Sequence, residues 1–159
     1  MLNGKAIRSM AVITGLTVGL ASGAQAAQDW DSSLGSGGDH GTAHGSIYKG
    51  DRNGGDVIEV STHMRDTQDN DRPIFTKANW YFNGSYCYPT GGGGIGCSEG
   101  WSGSGSTDSE GTSATKTWYM WHALQGTKHA ARAGVQLCQS EPWYDPDWCS
   151  YENFGGFDY

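Results

Sequence analysis

The chain has 159 residues, a net charge of −7 and an isoelectric point near 5.0, and 26 of its residues are Gly. An acidic surface repels phosphate backbones and anionic lipid, which argues against nucleic acid and membrane surfaces as partners. Seven Trp, eight Tyr and four Phe outnumber the aliphatic side chains that follow residue 26, so the core depends on aromatic burial. We therefore expect one small domain.

The first 26 residues have the layout of a secretory signal peptide. Two basic residues come first, an apolar run follows over residues 10–21, and Ala24-Gln25-Ala26 supplies the small residues that signal peptidase accepts. The apolar run is too short and too broken by glycine to span a bilayer, so no membrane insertion is expected. The sequence predicts an extracellular, secreted protein that begins at Ala27 after cleavage.

The next segment, residues 27–55, is rich in Gly, Ser, Asp and His and has few apolar side chains. Such a composition offers too little burial to offset the entropy of ordering, which predicts a flexible, disordered N-terminal arm. The arm could insert into a partner's cleft or add a strand to its sheet, and an idle secretion leader is the alternative. Its expected partner-binding anchors are Trp30, Leu34, Ile47 and Tyr48.

His40 and His44 lie four residues apart within this arm. On a helix this spacing directs two imidazoles at one metal ion. The surrounding glycines oppose a helix, because each costs up to about 1 kcal/mol relative to alanine. We therefore interpret both histidines as polar residues of a tether and expect no metal here.

The folded domain is predicted over residues 56–159 and begins with two strands. Residues 56–64 alternate with period two, and a second strand opens at Pro73 and runs to Phe82. It leads directly into Asn83-Gly84, a dipeptide that favours the type I′ turn of a hairpin. The side chains expected to face the core are Ile58, Val60, Thr62, Met64, Ile74, Thr76, Ala78, Trp80 and Phe82.

A long Gly- and Ser-rich loop is predicted over residues 89–115, followed by strands at 116–124 and 130–138 and an irregular tail. The last of these strands places Ala133, Val135 and Leu137 on one side. No segment sustains an apolar period of 3.6 residues, so helix should be scarce. Short strands separated by glycine-rich turns are typical of all-β proteins. We expect a small antiparallel β-sandwich or barrel.

The four cysteines, Cys87, Cys97, Cys138 and Cys149, are expected to form two disulfides, since an even number in an exported chain indicates oxidised pairs. Three pairings are possible. We favour Cys87–Cys97 and Cys138–Cys149, because each closes one local loop. Zinc is disfavoured because no C-x-x-C spacing occurs.

Several titratable side chains are candidates for catalysis or metal binding, but none lies in a recognisable motif. No G-x-S-x-G accompanies the histidines, the aspartates lack the order of a calcium loop, and a carboxylate pair needs a separation that sequence does not give. We therefore expect no catalytic residues, no metal and no cofactor. The residues concerned are His63, His122, His129, Asp66, Asp69, Asp71, Glu141 and Asp145.

Three aromatic clusters, 80–82, 118–121 and 143–144, place rings on both faces of their strands, because neighbouring side chains of a strand point to opposite sides. One face belongs to the core, and the other can cover a loop, contact a protein or stack on sugar rings. The further partner-binding candidates are Trp118, Trp121 and Trp143.

The arrangement of a signal peptide, a glycine-rich arm over 27–55 and a small acidic domain with four cysteines resembles the small adaptor subunit of the secreted umbrella toxin particles of Streptomyces-type bacteria. The resemblance implies a non-enzymatic role in a complex with other secreted proteins. In that family the globular part sits on a repeat-built ring of the large toxin protein. The arm enters a cleft of a protease-like, lectin-bearing subunit, and the assembly acts against competing bacteria.

We therefore expect a secreted adaptor that links protein partners in an extracellular, antibacterial toxin complex. A secreted protease inhibitor is the first alternative, with residues 89–115 as its rigid loop. A carbohydrate- or cell-wall-binding module that uses exposed tryptophans is the second.

Overall fold

The computed structural model describes residues 26–35, 38, 40–68, 70–141 and 146–159. These residues form nine strands in two antiparallel sheets, and no helix occurs among them. The strands are β1 (Gln28–Leu34), β2 (Gly41–Arg52), β3 (Gly55–Asp66), β4 (Ile74–Pro89), β5 (Ile95–Asp108), β6 (Thr115–Ala123), β7 (Lys128–Gln139), β8 (Trp148–Cys149) and β9 (Asn153–Asp158).

The first sheet has the strand order β1-β2-β3-β6, and the second has the order β5-β4-β7-β8, with β9 also paired to β7. The inner faces of both sheets supply one buried cluster centred on Trp80 and Phe82 of β4 and on Ile58 and Met64 of β3. The protein is therefore an all-β sandwich, and the predicted fold class is confirmed. The described residues include no helix long and apolar enough to cross a membrane.

The predicted inner faces of β3, β4 and β7 are confirmed. Strict alternation along each strand placed the apolar set on one side, and that side is buried in the sandwich. The confirmed inward residues of these three strands are Ile58, Val60, Thr62, Met64, Ile74, Thr76, Ala78, Trp80, Phe82, Ala133, Val135 and Leu137.

The prediction of a flexible arm over residues 27–55 is wrong for the part of that segment that the structure describes. Strand β1 and strand β2 pair with each other along their whole shared length, and β2 pairs in turn with β3. Trp30, Leu34 and Ile47 belong to the core and are at most 5% exposed. Pairing brings the few apolar side chains of β1 and β2 to one face of the sheet. Burial of that face offsets the conformational entropy lost when the segment becomes ordered.

Glycine within this segment permits close approach and does not indicate disorder. A Cβ on Gly45 would lie 1.9 Å from the carbonyl oxygen of Ser61, so only glycine fits at this point of β2. The same carbonyl accepts a hydrogen bond from the indole nitrogen of Trp30 at 3.2 Å. The absence of a side chain at Gly45 thus lets Trp30 lie across β2 and reach the core.

The predicted domain boundary at residues 55 and 56 falls inside a hairpin. Asn53 and Gly54 both have positive φ, 57° and 79°, and they connect the paired residues Arg52 and Gly55. This is the geometry that a two-residue type I′ turn requires. Residues 28–34 and 41–52 therefore belong to the same domain as the rest of the fold, while the predicted signal peptide, residues 1–26, lies almost entirely outside the described residues.

The hairpin predicted at Asn83-Gly84 is also wrong. Strand β4 continues through this dipeptide to Pro89, with a register shift against β7 between Asn83 and Gly84. The chain reverses instead at residues 90–94, where Thr90 and Gly94 share a backbone hydrogen bond of 2.8 Å. Asn-Gly occurs at residues 53–54 and at residues 83–84. Only the first pair connects two neighbouring strands, whereas the second lies inside β4.

Most of the loop predicted over residues 89–115 is strand β5. This strand is an edge strand of alternating Gly and Ser, and it pairs with β4 from Pro89↔Ile95 to Lys77↔Asp108. Backbone hydrogen bonds to β4 hold this strand in the sheet. Its side chains do not alternate between apolar and polar, so a sequence pattern does not reveal it. Low side-chain hydrophobicity thus concealed a long strand.

Both disulfides form as predicted. Cys87 and Cys97 are directly opposite on β4 and β5, and Cys138 and Cys149 are directly opposite on β7 and β8. The first bond is exposed, whereas Cys138 is fully buried. Each bond links neighbouring strands within one sheet.

Hydrogen bonds between the sheets close the sandwich along both sides. On one side the amide of Gln28 donates to the carbonyl of Gly156 and accepts from its N–H, which joins β1 to β9. On the other side the hydroxyl of Ser104 lies 3.2 Å from His122 Nε2, and Gln125 donates to the same hydroxyl at 2.9 Å. The two layers are therefore fastened at their first and last strands as well as through the core.

Candidate binding surfaces

The first candidate surface is a two-stranded ribbon that extends beyond the sandwich, defined here as residues 85–99. The pairing of β7 with β4 ends at Gly84↔Lys128, so beyond this point β4 and β5 pair only with each other. The Cys87–Cys97 disulfide crosses the middle of the ribbon. A cross-linked hairpin loses little conformational entropy on binding, which makes the ribbon a preorganised contact element.

The ribbon carries large side chains that the fold does not bury. Tyr86 and Tyr88 lie on one face with ring centroids 6.0 Å apart, over Gly96 and Ser98 of the opposite strand. Ile95 is 78% exposed near the tip. Exposed aromatic and aliphatic side chains on a rigid element are typical of protein contact sites.

The second candidate surface is the sheet-face cluster, defined here as Tyr48, Arg52, Glu59, Tyr119 and Trp121. It lies on the outer face of the first sheet, where Glu59 of β3 pairs with Tyr48 on one side and Trp121 on the other. Tyr119 and Trp121 are about half exposed, whereas Glu59 is only 6% exposed. The cluster thus combines two accessible rings with a buried carboxylate.

The buried carboxylate of Glu59 is fully engaged by its neighbours. Arg52 donates to it from Nε at 2.9 Å and from its terminal nitrogen at 2.8 Å, in the two-pronged geometry that suits a guanidinium and a carboxylate. Tyr48 donates its hydroxyl at 2.7 Å. Burial, together with the hydrogen bond to the charged carboxylate, raises the pKa of Tyr48 well above its usual range. These bonds hold Tyr48, Arg52 and Glu59 in fixed positions beside the two exposed rings.

The structure separates the predicted partner-binding residues into distinct groups. Trp30, Leu34 and Ile47 are core residues, so their predicted role as anchors exposed to a partner is wrong. Tyr48 and Trp121 meet in the sheet-face cluster, while Trp118 points inward and packs against the core. Trp143 lies outside the described residues.

The sequence did not indicate the residues of the ribbon as a contact surface, nor Arg52, Glu59 and Tyr119 of the sheet-face cluster. Tyr86 and Tyr88 alternate along β4 in the same period as Trp80 and Phe82. A continued strand would have placed them beyond the core, but the turn predicted at Asn83-Gly84 ended the pattern. Tyr119 was on the strand face opposite Met120, and that face is solvent-exposed.

The candidate histidines other than His129 contact neighbouring side chains, and His129 is exposed. His63 Nδ1 lies 3.0 Å from the hydroxyl of Thr117, and the rings of His44 and His63 are 5.1 Å apart. His40 packs edge-on against Trp148. Within the described part of the chain, no three His, Cys, Asp or Glu side chains converge as metal ligands would.

Two of the candidate carboxylates that the structure describes have separate partners. Glu141 forms an ion pair with Arg72 at 2.7 Å. Asp66 accepts a hydrogen bond from the backbone of Gln68 at 2.9 Å. Asp71 lies between β3 and β4 with a φ of 54°, and Asp69 and Asp145 lie outside the described residues.

Comparison with known proteins provides no assignment by similarity. No protein-family model matches the chain, and no curated protein matches it.

Proposed function

We propose that this protein is an extracellular, non-enzymatic adaptor that joins protein partners in a larger complex. The ribbon forms one contact surface and the sheet-face cluster forms the other. The observation that carries the proposal is the ribbon itself, a disulfide-braced projection whose Tyr86, Tyr88 and Ile95 contribute nothing to the core. Trp and Tyr side chains in such positions supply much of the binding energy of protein interfaces.

An adaptor needs surfaces that bind independently, and the two surfaces suit this role. The ribbon extends from the second sheet, whereas the cluster around Trp121 lies on the outer face of the first sheet. One partner can therefore be bound at each surface of a single rigid sandwich. Two disulfides support an extracellular location, because such bonds persist in oxidising compartments.

The resemblance to the umbrella toxin adaptor gives this proposal a specific form, in which the partners are subunits of a secreted antibacterial toxin. The part of that resemblance that depends on a free arm is not retained, because β1 and β2 are core strands. The contact surfaces proposed here replace the arm.

The test compares capture of partners by the intact protein and by two surface variants, using culture medium of the producing organism and mass spectrometry. Tyr88→Ser combined with Ile95→Ser alters the ribbon, and Trp121→Ser alters the sheet face. We expect each variant to lose one partner and keep the other. Tyr151→Ser is the matched control, since Tyr151 is 96% exposed and belongs to neither surface.

Capture of the same partners by all variants would contradict the adaptor proposal. Loss of every partner from both variants would contradict the independence of the two surfaces. Circular dichroism of each variant confirms that the sandwich is intact.

A protease inhibitor is the second candidate, and the ribbon favours it as well, since inhibitors present a rigid extended segment to a cleft. Titration against secreted serine and cysteine proteases distinguishes the two functions. Stoichiometric inhibition that disappears in the ribbon variant supports an inhibitor, and no inhibition at tenfold molar excess of the protein excludes it for the proteases tested.

A further inference from the structure

The outer face of the second sheet holds an arginine enclosed by three aromatic rings. The guanidinium carbon of Arg132, on β7, lies 4.4 Å from the ring centroid of Trp101 and 5.0 Å from those of Tyr81 and Phe154. These rings come from β5, β4 and β9, so all strands around Arg132 contribute to the enclosure. Such rings hold a cation in place through their electron-rich faces and leave its N–H groups to other partners.

Arg132 has no anionic partner among the described residues. Its Nε is buried and forms no hydrogen bond, and no described carboxylate forms an ion pair with it. Glu152, the nearby acid, accepts hydrogen bonds through Oε1 from Asn79 and from the hydroxyl of Tyr81, and it forms no ion pair with Arg132. A guanidinium held in this way is ready to bind an anion.

A cavity of about 370 Å³ opens beside this guanidinium. Trp101 and Phe154 line it and remain 41% and 54% exposed, and Gln28 and Asp158 provide polar walls. Gly156 lies directly opposite Arg132, and a Cβ at this position would lie 2.3 Å from the carbonyl oxygen of Ala131 and 2.5 Å from the Cβ of Arg132. Glycine here therefore permits the close approach of β9 to β7 at the edge of the cavity.

We propose that this cavity binds an acidic sugar, a hexuronate whose carboxylate pairs with Arg132 and whose ring packs on Trp101 and Phe154. A planar carboxylate matches the fork of a guanidinium, and the C–H groups of a pyranose match exposed aromatic surface. The carboxylate of Asp158 lines the same cavity and can accept hydrogen bonds from sugar hydroxyls. This site is separate from the ribbon and the sheet-face cluster.

Charge selects among the anions that an arginine can bind. Asp158 lines the same cavity and the chain carries a net charge of −7, so a doubly charged phosphate ester meets more repulsion than a single carboxylate. The rings add a preference for a ligand with apolar surface next to its charge. A hexuronate has both properties.

The experiment measures binding of glucuronate and galacturonate to the intact, disulfide-bonded protein by calorimetry and by ligand-observed NMR. The neutral hexoses, acetate, inorganic phosphate and a short peptide with a free carboxyl terminus serve as comparison ligands. We expect a hexuronate to bind about tenfold more tightly than its neutral hexose and than acetate. Arg132→Gln should reduce this affinity about tenfold, and Trp101→Leu should reduce it several-fold.

Two controls separate the site from general charge and from folding. Lys128→Gln removes a different cation of β7, and Trp121→Leu removes an exposed ring of the other sheet, and both should bind as the original protein does. Arg132→Lys retains the charge without the planar fork, so it tests the pairing if Arg132→Gln unfolds. Equal binding of hexuronate and hexose, unchanged binding by the Arg132 variants, or tighter binding of phosphate or peptide would overturn the proposal.

Discussion

Glu59 shows how one residue links the core to the surface of this protein. Its carboxylate is buried on the outer face of a sheet, where sequence alternation predicts a solvated side chain. Tyr48 and Arg52 supply hydrogen-bond donors that compensate for the lost water. These hydrogen bonds make the polar face of β3 rigid where it adjoins the exposed rings of Tyr119 and Trp121.

Replacing Glu59 with Gln should lower the free energy of unfolding by about 1–3 kcal/mol, because the charge-assisted bonds to Arg52 are weakened in a buried setting. Urea denaturation measures the loss. Asp56→Asn is the control: its ion pair with Lys49 is solvent-exposed, so its removal should cost less than about 1 kcal/mol. Equal losses for the two variants would show that burial of Glu59 has no energetic consequence.

The pKa of Tyr48 gives a pH dependence with a definite sign. Its pKa is raised in the folded state, so the folded protein retains this proton where an unfolded tyrosine, with a pKa near 10, has lost it. The corresponding stability is present in full below pH 10 and decreases as the pH rises above it. The stability difference between the original protein and Tyr48→Phe, measured in urea, should therefore shrink between pH 9 and pH 11. A constant difference over this range would contradict the assignment.

At the scale of elements, the two disulfides should differ in what they stabilise. The Cys87–Cys97 bond lies in the ribbon, beyond the end of the pairing between β4 and β7, while Cys138 is buried in the core. Elements with few buried contacts open locally without unfolding the whole domain. The first bond should therefore stabilise only the ribbon, whereas the second should stabilise the whole domain.

Removing the first bond, by Cys87→Ser with Cys97→Ser, should leave the unfolding free energy of the sandwich within about 1 kcal/mol of the original. It should also make the ribbon sensitive to proteolysis. Removing the second, by Cys138→Ala with Cys149→Ala, should cost about 2–4 kcal/mol. Denaturation followed by tryptophan fluorescence, together with limited proteolysis, checks both. A ribbon that stays resistant without its bond would indicate that pairing alone holds it.

The sequence predicted the strands in which apolar and polar side chains alternate. It did not predict the strands that are held mainly by backbone hydrogen bonds to their neighbours. The alternating apolar residues of β3, β4 and β7 were assigned to the correct face because one face of each is buried. Strand β5 has Gly and Ser in place of such a pattern, and β1 and β2 bury few residues over a long span. Their order comes from pairing with neighbours that only the fold brings together.

The candidate surfaces were also predicted only where a local sequence pattern indicates them. Trp121 was identified from its aromatic cluster, whereas the ribbon was missed because Asn83-Gly84 was interpreted as a turn. The environment of Arg132 depends on rings from three other strands, which no local pattern connects.

At the scale of the whole molecule, β1 is part of one cooperative domain. Trp30→Ala should lower the free energy of unfolding by about 3–5 kcal/mol, since it leaves a large cavity in the core. Trp121→Ala is the matched control, because Trp121 is 48% exposed and its loss should cost less than about 1 kcal/mol. Guanidinium denaturation gives both values. Unchanged stability of Trp30→Ala would restore the hypothesis of a flexible arm.

The hydrogen bonds between Gln28 and Gly156 join positions 128 residues apart in the chain. Loop-closure entropy makes such long-range closure slow, so folding is expected to lag behind local hairpin formation. While synthesis has released only the first strands, the sandwich is open and incomplete. The bonds between Gln28 and Gly156 can form only after β9 has emerged, so closure of this side of the sandwich waits for the last described strand.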